Sequence, residues 1–193
     1  KELKYLVSTS CNIASSKTIS NDIDYAIEVF FSRSNWKSIG SGINYNISKF
    51  ASRRIAKSLK IACAADVLEN HKHIDISAES TILTFIANIQ RKGYQLDVYS
   101  EVEKLLSHNN IPILITNIDD HRFDNMNIEF EKNDKKRHSN RVPVIKLPRT
   151  SEQFSFSINV LITEMFISKA IDLLKKKKIE LINRNEKNNL EVF

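Results

Sequence analysis

Two glycines mark the place in the sequence where the backbone could hold a ligand. Gly40 and Gly42 both lie in the decapeptide WKSIGSGINY, residues 36–45, although the whole chain contains only three glycines. The residues before Gly40 are typical of a strand, and the apolar spacing of residues 44–60 predicts a helix. Such a strand-to-helix turn lets the backbone approach a ligand and directs unpaired N–H groups of the helix start toward it, which favours an anion such as phosphate.

Gly40, Ser41, Gly42 and Asn44 are therefore the candidate ligand-binding residues of this turn. A tight turn that binds nothing would have the same sequence, since the dinucleotide-binding pattern needs a third glycine that is absent here. The turn alone does not decide between the two interpretations.

A second group of residues with possible chemistry follows the next predicted strand. His71, His73 and Asp75 alternate, so in an extended segment they would share one face and could hold a metal ion. A loop histidine bonded to a neighbouring carbonyl is the simpler alternative. Cys11 and Cys63 are far apart and lack zinc-site spacing, which predicts buried thiols and no disulfide framework. We expect no metal and no cofactor.

The composition is that of a globular chain with a sizeable core. Its 193 residues are 41% hydrophobic, which favours one domain. Much of the net charge of +6 comes from the runs Lys132–His138 and Lys175–Lys178, which are typical of solvated faces, so nucleic-acid binding is not predicted. Because no apolar run approaches the ~18 residues of a membrane span and no signal peptide is evident, we expect a cytoplasmic protein without membrane contact.

The order of the predicted elements indicates the fold class. A first helix, with apolar residues from Ile23 to Phe31, is followed by short apolar segments that alternate with helical ones. The strands are predicted at residues 36–39, 61–67, 80–88, 111–118 and 142–148. Such alternation is typical of a three-layer α/β/α sandwich, doubly wound, with a mostly parallel sheet of about five strands. The loops that follow the strands would then meet at the carboxyl edge of the sheet.

Three segments are predicted along the chain. Residues 1–19 are expected to be a connector from an upstream region, with Tyr5–Val7 as their one strand-like fragment, and the start at Lys1 suggests a piece of a longer protein. Residues 20–178 form the domain, which opens on a helix capped by Ser20–Asp22 and closes on a broadly apolar helix. Residues 179–193 are expected to be a C-terminal tail.

These motifs together resemble a known family, the sugar isomerase (SIS) domains, and specifically the second SIS domain in the isomerase half of glutamine–fructose-6-phosphate aminotransferases, the glucosamine-6-phosphate synthases. The resemblance covers about residues 20–178. It rests on WKSIGSGINY with its helix, LENHKHIDISAES, STILTFIAN, IPILITNIDDHRFD, and VPVIKLP before the last helix. The spacing from Gly40 to the pair Lys72-His73 matches that of the family without a gap.

The resemblance implies a sugar-phosphate site shared between two SIS domains. His73 stands at the position of the family histidine that helps to open the sugar ring, and Glu69 is a candidate replacement base. The loop after the third strand lacks the hydroxyls with which a phosphate-holding SIS domain cradles phosphate. Its candidate substrate-binding residues are Asn88, Gln90 and Arg91.

The helix after the glycine turn departs from the family pattern. In the catalytic version of this domain it carries Glu, Lys and Glu at positions i, i+4 and i+7, and the second Glu moves protons between sugar carbons, which requires a carboxylate. The matching residues here are Phe50, Arg54 and Lys57. Lys57 could replace a carboxylate base only if its pKa were strongly depressed.

Three functional interpretations follow. The first is a sugar-phosphate-binding SIS domain of a glucosamine-6-phosphate synthase-like protein that has lost much of the isomerase machinery. The alternative is an active aldose–ketose isomerase domain in which Glu69 or Asp75 is the base. The third is an interaction module that dimerises through its apolar helices. The expected partners are a sugar phosphate, a second SIS domain or a second copy of the chain, and an upstream glutaminase domain. The predicted dimer surfaces are residues 154–174 and Phe30–Phe31.

Overall fold

The computed structural model describes residues 2–31, 33, 35–40, 42–68, 81–86, 98–118, 121–126, 141–150 and 152–190. The helices are α1 (Glu2–Ser15), α2 (Lys17–Phe30), α3 (Asn44–Leu59), α4 (Val98–Ser107) and α5 (Glu152–Leu190), with a short 3-10 helix at His121–Asn125. The strands are β1 (Trp36–Gly40), β2 (Cys63–Val67), β3 (Thr81–Ile86), β4 (Ile111–Thr116) and β5 (Val144–Lys146).

The five strands form one parallel sheet in the order β2-β1-β3-β4-β5. β1 lies between β2 and β3, and its residues pair in register with both neighbours, from Trp36 opposite Cys63 and Thr81 to Gly40 opposite Val67 and Phe85. The strands are short and apolar because the central ones are covered on both faces. The predicted five-stranded parallel sheet is confirmed.

Helices cover both faces of this sheet. Trp36, Leu83 and Phe85 share one face, where they join a core to which α2, α3 and α5 contribute. Ile39 and Ile82 lie on the other face and pack with Leu105 of α4. The predicted three-layer α/β/α architecture is therefore confirmed.

The N-terminal part of the chain differs from its prediction. Residues 2–15 are helical, so the strand-like interpretation of Tyr5–Val7 is wrong, because Leu6 and Ile13 lie on one side of α1 and pack on the core. α2 begins at Lys17 because the hydroxyl of Ser16 accepts a hydrogen bond from the Ile19 N–H at 3.3 Å. The predicted cap at Ser20–Asp22 is wrong, since these residues lie inside α2.

An aromatic cluster joins α2, β1 and α5. The ring centroid of Phe30 lies 4.2 Å from that of Trp36 and 5.2 Å from that of Phe166. Phe30 and Phe166 are buried, and Phe31 packs partly buried against the same core. The predicted surface patch at Phe30–Phe31 is therefore wrong, and these residues belong to the core.

The last helix is longer than predicted and is anchored in the domain by both its apolar and its charged residues. By length and composition its segment Phe154–Lys177 could cross a membrane, with a mean hydropathy of 1.3, yet 44% of that apolar window is buried inside the fold. Two charged residues within it bind neighbouring helices: Glu164 pairs with Arg54 of α3, and Lys169 pairs with Asp24 of α2 at 2.7 Å. The apolar side chains of α5, among them Ile158, Ile162 and Phe166, are buried in the core of the domain.

The two cysteines differ in their surroundings. Cys11 is exposed on α1, so the expectation of a buried thiol is wrong for this residue, because α1 turns its other side to the core. Cys63 of β2 is partly buried, and burial raises the pKa of its thiol to about 12.

Candidate functional site

The glycine turn lies where the order of the strands reverses. From β1 the chain passes through α3 to β2 on one side, and it later continues with β3 on the other side of β1. In open parallel sheets this switch point leaves a crevice at the carboxyl edge of the strands, where ligands bind. Gly40 is the last residue of β1 and stands at that edge, as the sequence predicted.

The backbone favours glycine at both positions of the turn, for different reasons. A Cβ atom on Gly40 would overlap the carbonyl group of Asn44 and lie 2.9 Å from the Tyr45 nitrogen, because the first turn of α3 packs directly on the end of β1. Gly42 has a φ of 57°, in the left-handed region that other residues adopt only at a cost. The predicted strand-to-helix turn is confirmed, and packing accounts for Gly40 while the backbone conformation accounts for Gly42.

The start of α3 keeps few backbone donors for a ligand. The N–H groups of Tyr45 and Asn46 already bond to the carbonyls of Gly42 and Ile43, both at 3.1 Å. Its N-cap residue is Ile43, and among the described residues no side chain caps this helix. An anion at the start of α3 would therefore find fewer available N–H groups than at an uncapped helix terminus.

Asn44 joins the glycine turn to the last helix. It is 0% exposed, and its side-chain oxygen accepts a hydrogen bond from the Asn159 amide at 3.2 Å. Asn44 Nδ2 and Asn159 Oδ1 are buried without a partner among the residues that the structure describes. Asn159 also lines a small cavity of about 10 Å³ beside Asn117 and Ser155. Asn44 therefore reaches this polar interior, and contact with a ligand at the surface would require it to move.

The outer side of α3 carries a salt bridge to α5. Arg54 Nε and Nη2 donate to the two carboxylate oxygens of Glu164, both at 2.6 Å, with the side chains 36% and 39% exposed. The hydrogen bonds from Arg54 hold the pKa of Glu164 below its ordinary value, and those to Glu164 raise the pKa of Arg54. Phe50 is partly buried and Lys57 is exposed on the same helix.

A lysine is buried in the sheet on the side away from α3. Lys37 of β1 is 7% exposed, and burial lowers the pKa of its ammonium group, an effect that the neighbouring Asp66 of β2 opposes. The Asp66 carboxylate accepts a hydrogen bond from the Val67 N–H at 2.7 Å. This pair lies below the carboxyl edge and was not anticipated from the sequence.

A larger cavity lies at the opposite end of the sheet from β2. It has a volume of about 440 Å³ and is lined by Asp22 and Tyr25 of α2, Phe123, Arg141 and Lys146 of β5, among others. Burial raises the pKa of Asp22, and the positive charge of Lys146 opposes that shift. No residue of the glycine turn or of α3 lines this cavity.

The remaining predicted site residues are outside the described part of the chain. They are Ser41, Glu69, His73, Asn88, Gln90 and Arg91. The hypothetical metal ligands His71, His73 and Asp75 also fall there, and no cluster of three potential metal ligands occurs among the described residues.

The structure resembles solved structures of sugar-phosphate proteins. No family model matches the chain, and no curated protein sequence matches it. The C-terminal domain of glucosamine-fructose-6-phosphate aminotransferase from Francisella tularensis superposes with a TM-score of 0.64 and 16% identity over 91% of this chain, which spans 44% of that one. The Vibrio vulnificus NanR protein complexed with ManNAc-6P gives a TM-score of 0.61 and 12% identity over 96% of this chain and 67% of that one.

A third structure names the domain. It is the sugar isomerase domain of an RpiR transcription factor from Sphaerobacter thermophilus, with a TM-score of 0.53 and 11% identity over 92% of this chain and 96% of that one. The chain has the SIS fold. Because the sequence identities are 16%, 12% and 11%, the likeness establishes the fold alone. The predicted resemblance to SIS domains is thereby confirmed as a resemblance of fold.

Within the SIS fold, two contacts escaped the sequence analysis. Asn159 and Glu164 were not singled out from the sequence, yet they hold α3 through Asn44 and Arg54. The signal was present in the sequence, because an Asn and a Glu five residues apart in a long apolar segment would be costly without partners.

Proposed function

We propose that this chain is a sugar-phosphate-binding SIS domain that lacks aldose–ketose isomerase activity by itself. The observation that carries the proposal is the Arg54–Glu164 salt bridge, which lies on α3 about one turn before Lys57, the position at which the resemblance expects a proton-transferring carboxylate.

Proton transfer between sugar carbons requires a base that is free to accept a proton. Glu164 comes from α5, both of its oxygens accept from Arg54, and its pKa is lowered, so it is a poor general base. Phe50 and Lys57 provide no carboxylate on this helix. The surroundings of α3 therefore support binding without isomerisation.

The binding half of the proposal rests on the fold and on the position of the glycine turn. Gly40 lies at the switch point between β1 and β3, where parallel sheets bind ligands. A protein of the same fold was solved with ManNAc-6P bound, and another is part of a transcription factor, so this fold serves proteins other than isomerases. The predicted ligand contacts at Ser41, Asn88, Gln90 and Arg91 belong to this proposal, as does His73 in the site.

The identity of the whole protein is a further part of the proposal. We place the chain as the second SIS domain of a cytoplasmic glucosamine-6-phosphate synthase-like protein, in which another SIS domain or a second copy completes the sugar-phosphate site. The chain spans 44% of the aminotransferase C-terminal domain with which it superposes, so one further domain of similar size would fit that arrangement. An upstream glutaminase domain would follow from the same likeness.

Binding and turnover are tested separately. Backbone NMR spectra are recorded while glucosamine 6-phosphate, fructose 6-phosphate, glucosamine or inorganic phosphate is added. We expect the two sugar phosphates to shift resonances around Gly40–Asn44 and unphosphorylated glucosamine to leave them unchanged. If neither sugar phosphate shifts them at millimolar concentration, the binding proposal is wrong.

Turnover is followed by NMR at high enzyme concentration with fructose 6-phosphate. We expect no aldose product. Product formation that disappears in Glu69→Gln or His73→Ala would replace this proposal with the alternative of an active isomerase. If product does form, Arg54→Ala is the matched control. It removes a salt bridge to which the active-isomerase alternative gives no catalytic role, so the rate of product formation should stay the same.

A further inference from the structure

The cavity between α2 and β5 has one side of a helix as a wall. Thr18, Asp22 and Tyr25 follow at steps of four and three along α2, so they lie on one side of that helix, and all three line the cavity. The other wall comes from residues of the segment 141–146, which includes β5. The cavity volume of about 440 Å³ is within the range of small-molecule sites, about 300–1,000 Å³.

Two opposite charges that do not touch each other lie at one end of this cavity. Among the described residues the half-buried Asp22 carboxylate has no hydrogen bond and no ion pair, so its attraction to Lys146 acts across a gap. Burial raises the pKa of Asp22, an effect that the charge of Lys146 opposes, which indicates a carboxylate that water solvates incompletely. A ligand group that donates hydrogen bonds to Asp22 would therefore relieve a cost that the protein alone leaves in place.

The other end of the cavity is apolar. The Tyr25 hydroxyl donates to the Arg141 carbonyl oxygen at 2.6 Å, which holds the Tyr25 ring in place as part of the wall. Val142 and Pro143 follow directly in the chain, and with Phe123, which is 1% exposed, they give the cavity an apolar lining. Since Tyr25 is three residues after Asp22, this apolar lining begins about one helical turn from the Asp22 carboxylate.

We propose that this cavity binds a free amino acid with an apolar side chain. The ammonium group of the ligand donates to the Asp22 carboxylate, and the ligand carboxylate accepts from the Lys146 ammonium group. The ligand side chain packs against Tyr25 and Phe123. An amino acid carries its two charges on one carbon, so it fits between two opposite charges that are separated by a gap, and its side chain extends from that carbon toward the apolar end.

Ligands that lack one of these three groups fit the cavity less well. An anion such as phosphate would meet Lys146 but would be repelled by Asp22, and a simple amine would be repelled by Lys146. A zwitterion without a side chain, such as glycine, would leave the apolar lining uncovered. The inference does not depend on sugar-phosphate binding at the glycine turn, because no residue of that turn or of α3 lines this cavity.

Backbone NMR spectra of the full 193-residue chain test the ligand class. We expect L-phenylalanine at millimolar concentration to shift the resonances of residues 18–25 and 142–146. Phenethylamine lacks the carboxylate, 3-phenylpropionate lacks the ammonium group and glycine lacks the side chain, so each should have a dissociation constant at least about tenfold higher. The proposal is wrong if L-phenylalanine leaves these resonances unchanged, if one of the three smaller compounds binds as tightly, or if only glucosamine 6-phosphate shifts them.

Two variants test the contacts with the two charges of the ligand. Asp22→Asn should weaken L-phenylalanine binding at least about tenfold without weakening that of 3-phenylpropionate, and Lys146→Met should weaken L-phenylalanine without weakening phenethylamine. The matched control is Glu28→Gln, which removes a carboxylate from an exposed position of α2 that does not line the cavity. Far-UV circular dichroism establishes that all three variants are folded. Equal weakening by Asp22→Asn and Glu28→Gln, or equal weakening of every ligand by one variant, overturns the proposal.

Discussion

The start of α3 and its outer surface differ in what determines their residues. At the start, the backbone of Asn44 leaves no room for a side chain on Gly40, and the φ of 57° makes a side chain on Gly42 unfavourable. Farther along, Arg54 pairs with Glu164 of α5 and Lys57 is exposed to solvent, and at such positions the backbone tolerates many side chains. The backbone therefore restricts the residues of the glycine turn more tightly than those on the outer surface of α3, so the turn identifies the fold more securely than the activity.

The largest effect should come from Gly40. We expect Gly40→Ala to lower the free energy of unfolding by about 3 kcal/mol or more, because the atoms that its Cβ meets are backbone atoms that cannot rotate away. Urea denaturation followed by circular dichroism measures the change.

The control is the second glycine of the same turn. Gly42→Ala should cost only about 1–2 kcal/mol, since it introduces backbone strain without a steric overlap, and Gly42→Asn should cost less. If Gly40→Ala proves as mild as Gly42→Ala, packing does not fix the turn, and a ligand becomes the better explanation for Gly40.

An intermediate effect is expected where the turn and α5 meet. Asn159→Ala should cost about 1–3 kcal/mol, because it leaves the buried Asn44 side chain without its partner. Asn44→Ala should behave similarly, and the double variant should cost less than the sum of the two single variants. Strict additivity in urea denaturation would show that the pair does not couple the glycine turn to α5.

The sequence predicted the parts of this molecule that depend on local patterns. Strands such as Ile111–Thr116 are short apolar runs, and Gly40–Gly42 is a turn signal that no helix or central strand would favour. α1 was missed because its stripe of Leu6 and Ile13 is sparse in a Ser-rich segment. Its helix becomes evident only from packing on the core, which a local pattern does not contain.

The candidate site was less predictable for a related reason. The position of Gly40 at the switch point follows from the order of the elements, but the partners of Asn44 and Arg54 lie 115 and 110 residues away in the chain. Pairing over such distances depends on how α3 and α5 align in space. Phe166 shows the same limit, because the apolar pattern of α5 does not reveal which side of the helix is covered.

The smallest effect should be the pH dependence of the Arg54–Glu164 salt bridge. An unfolded Glu has a pKa of about 4.3, and in the fold the hydrogen bonds from Arg54 lower the pKa of Glu164. A carboxyl group with a lowered pKa stabilises the fold fully above its unfolded pKa and loses that contribution as pH falls through the folded one. The urea midpoint of the wild type should therefore exceed that of Glu164→Gln at pH 7, and the difference should shrink toward pH 3. It should stay smaller than the effect of Asn159→Ala, because the pair is more than a third exposed.

Asp172→Asn is the matched control for this measurement. Asp172 lies on the same helix, and its ion pair with Lys175 is long, at 4.0 Å, and exposed. The stability difference between Asp172→Asn and the wild type should be negligible at both pH values.

The pH dependence of Glu164→Gln bears on function as well as on stability. A Glu164 whose two oxygens accept hydrogen bonds from Arg54, and whose pKa is lowered by them, is a weak base toward a sugar carbon, which agrees with a binding domain. If the difference between wild type and Glu164→Gln disappeared already near pH 6, Glu164 would have the raised pKa of a general base, and the outer surface of α3 would have kept a catalytic carboxylate after all.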